Sequence, residues 1–77
     1  MTKSVFTGRY KLLLSLLISI REDMGLSQRA LSKKLKKAPT FVNKYECGER
    51  RLDVIEFLDI AKALEADPLE IIRKVVR

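Results

Sequence analysis

The sequence predicts an all-α domain of five short helices. Apolar residues recur at helical spacing, and no segment alternates as a half-buried strand would. Helix-start residues (Ser27, Asp53, Asp67) and helix-stop glycines (Gly25, Gly48) fall between the apolar runs. The 77 residues, 47% hydrophobic and 34% charged, suit one small core under a charged surface. We found no internal repeat and no linker.

Residues 1–8 are polar and read as a flexible arm, with residues 9–77 as a single domain. A first helix is expected over about 9–24. Leu12, Leu13, Leu16, Leu17 and Ile20 form one face, which Tyr10, Leu14 and Ile18 widen. Gly25 then fits a left-handed cap. Ser27 caps a second helix over about 28–36, with Leu31 and Leu35 as a core pair. Ala38-Pro39 breaks the chain, and Pro39 opens a third helix over about 39–47 that buries Val42 and Tyr45. Asp53 and Glu56 form a capping box for a fourth helix over about 54–65. Its core face is Val54, Phe57, Leu58, Ala61 and Leu64. Asp67-Pro68 starts a fifth over about 68–76, with Leu69, Ile72, Val75 and Val76 apolar.

Several classes are excluded or disfavoured. Cys47 is the only cysteine, so no intrachain disulfide can form, and a reducing cytoplasm is the natural compartment. With no His, a Cys/His zinc site is excluded, and no metal or cofactor is expected. The longest apolar run, residues 12–20, is nine residues, against the roughly 20 that a membrane span needs. No nucleophile-base pattern or Gly-rich phosphate loop is present, so an enzyme is not expected. A redox role for Cys47 has no resolving thiol within the chain.

Charge supplies the positive signal. The net charge is +6, and the window from Arg29 to Arg51, with eight basic and two acidic residues, carries as much as the whole chain. A basic surface on one small helical unit points to a polyanion, foremost DNA. Two short helices joined by a tight turn can place the second in the major groove, about 12 Å wide. The start of the first would meet a phosphate at Ser27-Gln28. Thr40, Asn43 and Lys44 lie on the face of the third predicted helix away from Val42 and Tyr45, and Lys33, Lys34, Lys36, Lys37, Arg50 and Arg51 surround them.

These residues stand in a specific order: Gly25-Leu26-Ser27-Gln28, then Leu31 and Leu35, then Phe41-Val42-Asn43-Lys44-Tyr45-Glu46, then Gly48-Glu49-Arg50-Arg51. In this the chain resembles the lambda-repressor-like (Cro-type, XRE-family) helix-turn-helix regulators, over about residues 10–76. The resemblance implies a five-helix DNA-binding domain with its helix-turn-helix at the second and third helices. It implies base-facing roles for Pro39, Thr40, Phe41 and Lys44, with Asn43 near base or backbone. Phe41 either meets a thymine methyl or packs on the second helix. Contacts to the DNA backbone fall to Ser27, Gln28, Lys36, Lys37 and Arg50, with Gln28 also buttressing the third helix. Arg21 and Glu46 form an internal ion pair.

The chain departs from the family at Lys36 and Lys37, where the turn has a glycine and an apolar residue, and at Ser32, where it has Ala. Ala38 replaces the usual Ser/Thr cap, a loss of about 1 kcal/mol. The expected function is a transcriptional regulator of prokaryotic or phage type, cytoplasmic and nucleoid-associated when bound. It would bind double-stranded DNA at a palindromic operator as a homodimer, as a repressor or autoregulator without membrane association or a small-molecule ligand. The alternative is an antitoxin-like protein-interaction module whose DNA binding is secondary.

Overall fold

A computed structural model describes residues 8–76. The expected N-terminal arm lies outside these residues except for Gly8, which opens the first helix. Five helices follow in order: α1 (Gly8–Asp23), α2 (Gln28–Lys34), α3 (Phe41–Glu46), α4 (Val54–Ala63) and α5 (Pro68–Val76). No strand occurs among the described residues. α1 packs on α3 and α5, α2 on α3, and α4 on α5. Leu17, Leu31, Val42, Tyr45, Ile60 and Leu64 form the most enclosed part of the core.

The starts of α2 and α4 follow the sequence signals. Ser27 Oγ accepts from the Ala30 N–H at 3.0 Å. Asp53 accepts from the Glu56 N–H at 2.7 Å, and Glu56 accepts from the Asp53 N–H at 3.0 Å. At α5, Asp67 Oδ1 accepts from the Leu69 N–H at 2.9 Å, with Pro68 as the first helical residue.

Three ends differ from expectation. α2 stops at Lys34, two residues early, because Lys36 takes a left-handed φ of 60°. The Lys36 N–H bonds to Lys33 O and the Lys37 N–H to Ser32 O, a Schellman closure of the helix. Glu65 (φ 56°) closes α4 in the same way after Ala63. A side chain in this conformation costs roughly 1 kcal/mol, a penalty that Gly25 and Gly48 avoid at the ends of α1 and α3. α3 starts at Phe41 rather than Pro39. Ala38 O accepts from the Phe41 N–H at 2.9 Å, and Thr40 sits at φ −94°, ψ 0°. This is a type I turn with Pro39 at its second position, which the pyrrolidine ring favours. The connection from α2 to α3 therefore spans Leu35 to Thr40, longer than the tight turn expected.

Neither Ala38 nor Thr40 caps α3 with a side chain. The missing bond comes from α2, where the buried Ser32 hydroxyl accepts from the Val42 N–H at 3.1 Å. A residue tolerated for its small size also pins the two helices together.

The buried stripe of α1 is Tyr10, Leu14, Leu17 and Arg21, with Leu13, Leu16 and Ile20 packed beside it. Leu12, placed in the core from periodicity, is exposed. On α4 the core residues are Phe57, Ile60 and Ala61, continued by Leu64; Val54 and Leu58 face outward. On α5 only Ile71 is buried, while Leu69, Ile72 and Val76 are exposed.

The Tyr45 ring is fully buried, and its hydroxyl has no hydrogen-bond partner among the described residues. Burial raises the pKa of this phenol, with the Glu46 carboxylate adding to the effect. An unpaired buried hydroxyl costs about 1–3 kcal/mol. Tyr45→Phe is therefore expected to stabilise the domain by about 1 kcal/mol in urea denaturation. A loss of that size would mean that the hydroxyl is satisfied.

Candidate nucleic-acid interface

The site is built on α3. Phe41, Val42 and Tyr45 turn inward, which leaves Thr40, Asn43 and Lys44 on the exposed side. Pro39 is exposed just before them. These four expected base-facing residues are all exposed, and Phe41 is not. Only 8% of Phe41 is exposed. Its ring meets Tyr45 edge-on at 5.6 Å, with Lys37 and Arg50 over it at 5.5 and 5.3 Å. Phe41 is thus largely buried, packed on Tyr45 of its own helix and covered by Lys37 and Arg50.

The expected ion pair forms. Arg21 Nε donates to Glu46 Oε2 at 2.7 Å and Nη2 to Glu46 Oε1 at 3.1 Å. Arg21 Nη1 donates to Leu26 O at 2.8 Å, which fixes the segment entering α2. The hydrogen bond to Glu46 raises the pKa of Arg21 against the opposing effect of burial. Gln28 Nε2 donates to Glu46 Oε1 at 2.8 Å, and Asn43 Nδ2 donates to Gln28 Oε1 at 3.3 Å. A continuous chain of hydrogen bonds thus runs from α1 through α3 and α2 to the exposed face.

The basic residues divide into two groups. Lys36 and Lys37 are exposed at the turn and border a concave surface with Arg29, Lys33 and Pro39. Lys33 is among the basic residues expected around the site; Arg29 is not, although its i, i+4 spacing from Lys33 places the two on one side of α2. Lys34 belongs elsewhere: its Nζ donates to Ala63 O at 2.7 Å and ties α2 to the end of α4. Arg50 grips Glu56 through both guanidinium arms, at 3.0 and 2.5 Å, and donates to Arg51 O at 3.1 Å. That grip holds the Glu56 carboxyl below its ordinary pKa. Arg50 chiefly fastens the loop between α3 and α4. Arg51 lies 4.4 Å over the Tyr10 ring. Ser27 is exposed, and its hydroxyl is used as the cap of α2.

No group of His, Cys, Asp or Glu among the described residues could hold a metal ion. No described helix is long and apolar enough to cross a membrane. Cys47 is exposed at the end of α3, with Sγ 3.5 Å from Lys44 O.

Two short helices locked by Ser32, with a polar outward face on the second and a basic turn between them, define a helix-turn-helix DNA-binding unit. The Helix-turn-helix family model matches residues 17–71. An XRE-family like protein from Pseudomonas syringae pv. tomato str. DC3000 has a similar solved structure, with a TM-score of 0.83 at 41% identity. The match covers 88% of this chain and 85% of that one. The chain belongs to the XRE-type helix-turn-helix family, a class of DNA-binding transcriptional regulators. Two crystal structures of the clp gene regulator ClgR from Corynebacterium glutamicum share the fold at 20% identity. Their TM-scores are 0.78, covering 92% of both chains, and 0.77, covering 91% of this chain and 74% of that one. No curated protein matches the sequence.

Proposed function

We propose that the protein is a sequence-specific regulator that binds a palindromic operator as a homodimer and represses transcription from it, its own gene included. The observation that carries this reading is the outward face of α3, where Thr40, Asn43 and Lys44 stand beside the exposed lysines of the turn. Short polar side chains on one helix read base edges, while the lysines meet phosphates. Pro39 lies beside the base-reading set. Ser27, Gln28, Lys36 and Lys37 hold the backbone, and Arg29 and Lys33 extend the basic row along α2. Arg50 reaches a phosphate only through donors that Glu56 leaves unused. Repression needs no surface beyond this one, since occupancy of the operator blocks access. A cytoplasmic, nucleoid-bound protein of prokaryotic or phage origin, with residues 9–77 acting as one domain, fits this role.

Support for a dimer comes from α4 and α5. Val54, Leu58, Leu69 and Ile72 are exposed around an apolar groove of about 230 Å³. Apolar surface of this kind on so small a domain marks an interaction face. A second copy across a two-fold axis would set the two α3 helices about 34 Å apart, one turn of DNA.

Selection on random duplex DNA at two salt concentrations tests the reading. A palindromic motif should enrich at both. If nothing enriches and all binding vanishes at moderate salt, the protein is a non-specific polyanion binder. Within the motif, Thr40→Ala should relax one base preference by about tenfold, and Lys37→Ala should weaken all sequences alike and lower the salt slope by about one. Equal effects from the two variants would refute this division of roles.

A further inference from the structure

We propose that Asn43 reads an adenine in each half-site and that Gln28 and Glu46 are positioning residues that set its amide for the purpose. The inference rests on the reading of α3 as the base-contacting helix and adds the identity of one base.

Glu46 faces the Arg21 guanidinium through both of its oxygens, so it is a carboxylate and can only accept hydrogen bonds. Gln28 must therefore turn its NH₂ group toward Glu46, as the 2.8 Å contact from Nε2 requires. The Gln28 carbonyl oxygen then points the other way and meets Asn43 at 3.3 Å. Facing an acceptor, Asn43 must offer Nδ2. Amide orientation on a protein surface is ordinarily open to a flip. Here it is dictated in three steps from a buried ion pair.

One donor of Asn43 is thereby engaged, and one N–H and the Oδ1 acceptor remain for a ligand. Adenine offers N7 as an acceptor and N6 as a donor in the major groove, the complement of that pair. Guanine offers two acceptors there, thymine an acceptor and a methyl, and cytosine a donor. A side chain with one donor and one acceptor left therefore prefers adenine.

The test is selection on random duplex DNA with the intact protein, its Asn43→Ala variant and its Gln28→Leu variant, with thermal melts to confirm that each is folded. The wild type should enrich a motif with one adenine per half-site that Asn43→Ala no longer prefers, a loss of about tenfold at that position. Gln28→Leu should weaken binding to all sequences through its lost backbone contact and, beyond that, reduce the adenine preference several-fold while the base preferences at the other positions persist, which a merely structural role for Gln28 would not do. A wild-type motif in which no adenine depends on residue 43 overturns the proposal and leaves the regulator reading standing. Adenine preference intact in Gln28→Leu overturns the positioning roles. Failure of the wild type to enrich any motif overturns the base-contacting reading and this proposal with it.

Discussion

Glu46→Ala is expected to cost about 3–5 kcal/mol of folding stability, measured by urea or thermal denaturation. The reason is asymmetry. The Arg21 and Glu46 side chains are 11% and 5% exposed, so removing the carboxylate leaves a guanidinium largely out of water with its principal partner gone. Small domains have about 5–15 kcal/mol in total, so such a variant would be partly unfolded at physiological temperature. Replacing both partners, as Arg21→Met with Glu46→Leu, should restore most of the loss, since apolar pairs of similar volume substitute well for buried ion pairs. The restored protein would still lack the group that orients Gln28, so recovery of stability without recovery of adenine preference separates the two roles. A loss below about 1 kcal/mol for Glu46→Ala would mean that water reaches the pair freely.

Leu69→Glu should convert the protein to a monomer and lower operator affinity by about 100-fold or more, the scale lost when two linked half-site contacts become one. Leu69 is 67% exposed, so the fold itself should be untouched and the melting temperature of the isolated domain little changed. Sedimentation and titration of a palindromic duplex read the two effects. A variant that stays dimeric, or that binds as tightly as the parent, would place the interface elsewhere and leave the α4–α5 groove to another protein.

Much of this architecture is legible in the sequence because its signals are local. The caps at Ser27, Asp53 and Asp67 involve residues two or three positions apart, and the structure realises all three. The inward pair Val42 and Tyr45 and the outward set Thr40, Asn43 and Lys44 follow from helical spacing alone. Signals that depend on the rest of the fold were harder to read. Periodicity makes α1 apolar nearly all round, so it cannot say that Tyr10 and Leu14 face the core and Leu12 does not. On α5 the exposed apolar residues outnumber the buried Ile71, so hydrophobicity by itself does not single out the residue that enters the core. Ser32 caps Val42 across ten residues, which no local pattern reveals. The burial of Phe41 depends on Tyr45, and on Lys37 and Arg50, which gather around its ring from outside any local pattern.

The left-handed residue Lys36 gives the turn an evolutionary direction. Glycine at either Lys36 or Glu65 would relieve the backbone, and each change is a route by which this domain could drift toward hardiness. The two routes are not equivalent. At 65 the lost carboxylate makes one exposed contact, 4.0 Å from Lys34. At 36 the change would strip a cation from the surface proposed to face the phosphates. Selection for robustness should therefore be felt first at position 65, and a lysine that persists at 36 despite its backbone cost would record selection for grip on DNA.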